Sequence, residues 1–180
     1  MRGLTLIELM AAVAIISISI TFGIPSFFET LDKYRAKSEI SSFEKTIRKS
    51  RWLALNLGEE ISICPLSGSS CSTFWNQSLT VFSDRNRNSK LDTGEDIHFV
   101  QDRTNSRGRW KKRSNIKNII RLTPNGYAFA YASTWIFCPQ SKNWRHARQL
   151  VINLQGRVRI APYLNKNGTP YATLKDLQCS

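Results

Sequence analysis

Histidine is almost missing from this chain: His98 and His146 are the only two in 180 residues. No Cys-x-x-Cys or Cys/His spacing of a zinc site accompanies them. No nucleophile–base pair stands out either. We therefore expect neither an enzyme nor a bound cofactor. Acidic residues are the second shortage. Residues 1–100 hold eleven Lys/Arg and eleven Asp/Glu, so they sum to zero. Residues 101–180 hold fifteen Lys/Arg and only two acids, Asp102 and Asp176, so this half carries the whole net charge of +13. Such asymmetry points to a polyanionic partner, nucleic acid or an anionic surface, though many basic surfaces are merely solvated. The third absence is local. From Leu9 to Phe28 the chain has no charged residue for twenty positions, about the length of a helix that crosses a bilayer.

That apolar run is not an ordinary signal peptide. Only Arg2 and Gly3 precede it closely, and Glu8 stands at its edge in "RGLTLIELM". A carboxylate at membrane depth costs about 3 kcal/mol on insertion scales, so it needs a partner. The stretch resembles the leader junction of type IV pilins and type II secretion pseudopilins. The resemblance implies that a prepilin peptidase cuts after Gly3 and that the new amine on Leu4 is methylated. Glu8 then falls at the fifth mature position, where the family's glutamate pairs with the N-terminal amine of a neighbouring subunit during assembly. Leu4 departs from the phenylalanine commonest at the first mature position. Pro25 falls where many members also carry proline, which a membrane helix tolerates when neighbours satisfy the freed carbonyl.

Beyond Phe28 the pattern changes. Ala36, Ile40, Phe43, Ile47, Ala54 and Leu57 recur at three-, four- and seven-residue steps on a charged background. One helix is predicted over 5–57, ending at Gly58. Short strand-like runs follow at 60–64, 78–83, 97–100, 119–122, 127–130, 135–138, 149–153 and 157–160, parted by turn signals such as Pro124-Asn125-Gly126. This reads as an α+β domain. The polar, basic stretch 101–115 reads as a mobile loop. "RKSRWLALNLGEEISICP", "VFSDRNRNSKLDTGEDI" and "FCPQ…LVINLQGRVRI" resemble, in that order, the GspH/FimT branch of minor pilins and pseudopilins. The resemblance implies a pilin fold, a long N-terminal helix packed on two small antiparallel sheets. The expected organisation is a leader at 1–3, a transmembrane and assembly segment at 4–28, and a globular domain at 29–180.

The implied location is the inner membrane of a Gram-negative bacterium, then a pilus. The globular part would fold in an oxidising compartment, which favours disulfides. Of three possible pairings we expect Cys64–Cys71, closing a short Pro/Ser/Gly loop, and Cys138–Cys179, tying down the C-terminal tail. A calcium-like pattern also occurs. Asp84, Asn86, Asn88, Asp92 and Glu95 occupy positions 1, 3, 5, 9 and 12 of an EF-hand-type loop. Position 6 is Ser89 rather than glycine, and Arg85, Arg87 and Lys90 add positive charge. An Asx-rich hairpin tip is the simpler reading.

The cations of the second half form groups. Arg103, Arg107, Arg109, Lys111, Lys112 and Arg113 surround Trp110. Lys142, Arg145 and Arg148 surround Trp144, and Lys166 lies beyond Arg157 and Arg159. Cations bind phosphates, and exposed aromatic rings stack on unpaired bases. In a strand, Arg157 and Arg159 share a face. Gly156-Arg157-Val158-Arg159 resembles the GRxR motif of FimT-type minor pilins that bind DNA. The resemblance implies that Arg157 and Arg159 contact phosphates, with Lys142, Arg145, Arg148, Lys111, Lys112 and Arg113 as neighbours. The expected function is a minor pilin that binds DNA without sequence preference and supports its uptake in natural transformation. The expected partners are DNA, other major and minor pilins, the prepilin peptidase and the inner membrane. One competing reading is a purely structural minor pilin or type II secretion pseudopilin; another is a calcium-dependent adhesion module.

Overall fold

The protein is seen in a computed structural model that describes residues 5–103, 106, 108–113, 119–140 and 146–161. It divides into two compact units, Met1–Arg35 and Ala36–Ser180. One helix, α1 (Leu6–Leu57), supplies the described part of the first unit and continues into the second.

From Leu9 to Phe28 in the first unit the helix carries no charge and is exposed, with Pro25 inside it. Three of its hydroxyls are satisfied by its own backbone. Ser17, Ser19 and Thr21 donate their hydroxyls to the carbonyls of Val13, Ile15 and Ser17, four residues back, at 2.7–2.8 Å. A segment whose hydroxyls bond to its own backbone can sit in hydrocarbon without orphaned donors. By length and composition it suffices to cross a membrane.

In the second unit the helix becomes one-sided. Ala36, Ile40, Phe43, Ile47, Ser50 and Ala54 are buried. Their steps alternate four and three, the spacing that keeps one face of a helix against a partner. Ser50 fills a place in this stripe that apolar patterning alone skips, because its hydroxyl is spent on the Thr46 carbonyl at 2.8 Å. Leu57, expected in the stripe, is exposed instead.

Two antiparallel sheets cover the stripe. The first contains β1 (Ile61–Ser67), β2 (Ser70–Cys71), β3 (Leu79–Ser83), β4 (Ile97–Gln101) and β6 (Ile120–Leu122). Its order is β2-β1-β3-β4, with β6 also pairing β1. The second has the order β5-β7-β8-β9, from Gly108–Lys112, Ser133–Pro139, Arg148–Ile152 and Val158–Ala161. Between them lies an aromatic centre. The Phe43 ring meets Trp110 at 4.8 Å and Trp135 at 5.7 Å, both edge to face, and Trp75 packs on Trp135 at 4.0 Å. Edge-to-face contact suits the ring quadrupoles, so these pairs stabilise beyond their burial.

Two expectations need correction. Residues 108–112 form a strand, not a loop. Trp110 is buried against Phe43 and Phe137, and the backbone pairs with β7 in register Trp110↔Phe137. The run 127–130 is not a strand. Phe129–Tyr131 is a single 3-10 turn, and Tyr127 lies outside any element. Cys64 and Cys71 are joined by a disulfide across the β1–β2 hairpin. Cys138 is also disulfide-bonded; Cys179 lies outside the described residues.

Candidate nucleic-acid interface

The hairpin between β8 and β9 positions Arg157 and Arg159. Gly156 N–H donates to the Asn153 carbonyl at 3.0 Å, and Asn153 N–H donates to the Arg157 carbonyl at 3.0 Å. Gly156 has φ +69°. This is a three-residue connection, a tight turn followed by a left-handed residue. A second turn repeats the pattern at Thr123–Tyr127. Gly126 N–H donates to the Thr123 carbonyl at 2.7 Å, Thr123 N–H donates to the Tyr127 carbonyl at 2.9 Å, and Gly126 has φ +72°.

The two turns pack glycine on glycine. A Cβ built on Gly156 would fall 2.1 Å from the Gly126 carbonyl oxygen. The glycine of "GRVR" is therefore required by the fold. Arg51 Nε donates to the Gly126 carbonyl at 3.0 Å, and Arg48 Nη2 donates to the Val158 carbonyl at 3.3 Å. These two helix cations join the hairpin neighbourhood. In the sequence they read only as the solvated side of an amphipathic helix, and nothing there links them to residues 75 and 110 positions on.

Strand alternation sorts the remaining cations by face. Val158 is buried on the core side with Ile152, while Arg157 and Arg159 are exposed. Neither guanidinium has an ion pair among the described residues. Arg159 stands opposite Val151, and Val151 opposite Thr134. Beside Thr134, Arg113 donates its N–H to the Thr134 carbonyl at 2.9 Å. Lys111 is paired with Ile136, and Arg109 with Cys138. The outer face thus carries Arg159 at one edge and Arg109, Lys111 and Arg113 at the other. Three strand spacings separate the edges, about 14 Å.

Other predicted contacts do not share this face. Lys112 pairs with Trp135 on the core side, and its Nζ lies over the Trp135 ring at 5.7 Å. Burial lowers its pKa. Arg148 pairs with Phe137, also on the core side, and donates to the Ala147 carbonyl at 2.8 Å. Arg103 is buried, with its guanidinium 4.4 Å from the Phe43 ring and 4.8 Å from the Trp110 ring. Its Nη1 donates to the Trp75 carbonyl at 2.8 Å. Burial pushes its pKa down to about 9, so it stays charged at neutral pH but is spent on the core. Trp110 is core rather than a platform for bases. Arg107, Lys142, Trp144, Arg145 and Lys166 lie outside the described residues, as do Gly3 and Leu4.

The Asx-rich loop is built inward. Asp84 is fully buried, and its Oδ2 accepts from Ser62 Oγ and Arg121 Nη2 at 2.7 Å each. Asn86 and Asn88 both turn amide N–H groups toward Asp92 Oδ2, at 2.7 and 2.6 Å. Glu95 accepts backbone N–H groups from Arg85 and Asp92 at 2.9 and 3.0 Å. A calcium site needs convergent oxygens, whereas these side chains cap one another and the backbone. Among the described residues no group of three His, Cys, Asp or Glu is placed to hold a metal. Glu8 also has an intrachain partner: Thr5 donates its N–H and its hydroxyl to Glu8 Oε2, each at 2.9 Å. Glu8 N–H donates back to Thr5 Oγ1 at 3.4 Å, completing a capping box at the helix start.

The profile of the family described as type II transport protein GspH matches residues 39–156. That span holds both sheets up to the Gly156 turn. The chain belongs to the GspH family, within the type IV pilin and pseudopilin superfamily. A second profile, the prokaryotic N-terminal methylation motif, matches residues 1–24. No curated protein sequence matches the chain. Two crystal forms of the type IV minor pilin FimU from Pseudomonas aeruginosa strain PAO1 share the fold at 20% identity. One gives a TM-score of 0.54 over 76% of this chain and 92% of that one. The other gives 0.53 over 70% and 92%. GspH-family membership implies association with other pilins and a peptidase-processed N-terminus. The apolar helix fits inner-membrane anchoring followed by filament assembly.

Proposed function

We propose that this minor pilin binds DNA without sequence preference through the outer face of its second sheet, and so supports DNA uptake. The observation that carries the reading is the pair Arg157 and Arg159. Both are exposed, two residues apart, and without an ion pair among the described residues, in a half-chain with a net charge of +13. Arg109, Lys111 and Arg113 widen the cationic face at its far edge. Guanidinium groups bind phosphate oxygens in a fixed fork, and such contacts carry affinity but no sequence information. Processing after Gly3, methylation of Leu4 and pairing of Glu8 with a neighbouring subunit's amine belong to the same reading. That last step requires Glu8 to exchange its Thr5 bonds for the incoming amine.

One observation favours the competing reading, a structural subunit that primes assembly without DNA. Gly156 is accounted for by turn packing alone, so the glycine of "GRVR" is no signature of DNA contact. The test is fluorescence anisotropy with a labelled random-sequence duplex and the full chain in detergent. Wild type should bind at low salt, and Arg157→Gln with Arg159→Gln should lose most of the affinity. A wild type that ignores duplex at low salt leaves only the structural role.

A further inference from the structure

Two exposed rings beside the arginine hairpin stand outside the core clusters of the described residues. Tyr127 and Phe129 are 39% and 61% exposed, and their rings stack parallel, 5.0 Å apart with an interplanar angle of 8°. Ala128 between them is fully buried, and its N–H donates to the Leu154 carbonyl at 2.9 Å. The fold therefore clamps the backbone of this segment to the β8–β9 hairpin while leaving both rings in water. The glycine-on-glycine contact sets the distance. With the Gly126 carbonyl oxygen 2.1 Å from a Cβ on Gly156, the Cα atoms of Tyr127 and Arg157 lie within about 11 Å by covalent dimensions. That span corresponds to about three nucleotides at the stacked rise of one strand.

We propose that Tyr127 and Phe129 form a stacking platform for unpaired bases, next to the phosphate contacts of Arg157 and Arg159. The proposal rests on the DNA-binding reading above and adds a ligand class to it: single-stranded DNA, or the frayed end of a duplex. The choice of occupant follows from charge. Arg51 bonds the Gly126 carbonyl next to Tyr127, Arg157 follows the glycine that packs on that carbonyl, and Arg51, Arg157 and Arg159 are paired with no carboxylate among the described residues. A ligand that offers flat apolar faces on a polyanionic backbone complements both features. Trp110, the ring the sequence offers first for this task, is buried and cannot serve.

The experiment measures affinity for oligo-dT and for a blunt duplex of equal length, using the full chain in detergent at fixed salt. The variants are Tyr127→Ala with Phe129→Ala, and Tyr127→Phe alone. Because the rings are exposed, the double variant should fold, which circular dichroism checks. The double variant should weaken oligo-dT binding by about five- to a hundredfold, the range of one stacked base, and leave the duplex nearly unchanged. Tyr127→Phe should retain wild-type affinity. Oligo-dT carrying 2-aminopurine should be quenched by wild type and not by the double variant. Unchanged oligo-dT affinity in the double variant overturns the platform while leaving duplex binding standing. Loss of association with other pilins at unchanged oligo-dT affinity also overturns it, and assigns the rings to a protein contact. A wild type that binds neither form overturns the platform and the DNA reading together.

Discussion

Replacing Gly156 with alanine tests the local architecture that holds the two arginines. The change has two costs. Gly156 has φ +69°, a conformation that disfavours an L side chain by about 1–2 kcal/mol. The new Cβ would also fall 2.1 Å from the Gly126 carbonyl oxygen. That oxygen belongs to a backbone held by the Arg51 side chain and by its own turn bonds, so it cannot yield as a flexible side chain would. Overpacking of this kind costs about 1–3 kcal/mol. The sum is about 2–5 kcal/mol, a fall in Tm of about 5–15 °C for a chain of this size. Gly68→Ala is the control. Gly68 has φ +62°, but nothing lies within 4 Å of its added Cβ, so only the first cost applies. The assay is thermal unfolding followed by near-ultraviolet circular dichroism, which reads the packed tryptophan centre. Equal Tm losses for the two variants would refute the claim that turn-on-turn packing fixes the hairpin.

Two further outcomes follow from the buried and half-buried charges. Asp84→Asn should destabilise by about 1–3 kcal/mol, because it removes the 2.7 Å carboxylate partner of the buried Arg121 guanidinium, which keeps Glu60 at 3.6 Å. Thr93→Ser, in the exposed part of the same loop, should stay within about 0.5 kcal/mol in urea unfolding. Glu59 has a pKa lowered from its ordinary 4.5, first by the Ser83 hydroxyl and then by Arg85. A depressed carboxylate stabilises the fold above its unfolded pKa and loses that contribution as pH falls through the folded one. Glu59→Gln should therefore lower Tm at pH 7, and the gap to wild type should close as pH drops below about 4.5. A gap that is constant with pH would refute the assignment.

The sequence carries the helix and its stripe because both are periodic, and Ala36, Ile40, Phe43, Ile47 and Ala54 are buried as their spacing predicts. It carries the strands β1, β3 and β7 as short runs rich in β-branched and aromatic residues, buried along nearly their whole length. It hides β5, because "GRWKK" is charged at all but one side chain. The strand exists through backbone pairing with β7 and the one ring, Trp110, that reaches the core. "YAFA" misleads in the opposite sense. Its alternation is that of a strand, but what alternates is one buried alanine between two exposed rings. At the candidate site, the shared exposure of Arg157 and Arg159 was legible from two-residue spacing. The division of the other cations was not, since which face Lys111 or Lys112 takes depends on the register with β7. Asp84 looked like the first residue of an ion loop, and only the fold brings Arg121, thirty-seven positions on, to its carboxylate.

The central claim is phosphate contact by Arg157 and Arg159, and the salt dependence of DNA affinity tests it most directly. Each phosphate neutralised on duplex DNA contributes about 0.9 to the slope of log K against log salt. The account predicts a steep slope for wild type and a slope shallower by about 2 for the Arg157→Gln, Arg159→Gln double variant. An unchanged slope in the double variant would contradict it and move the contact elsewhere on the basic half of the chain.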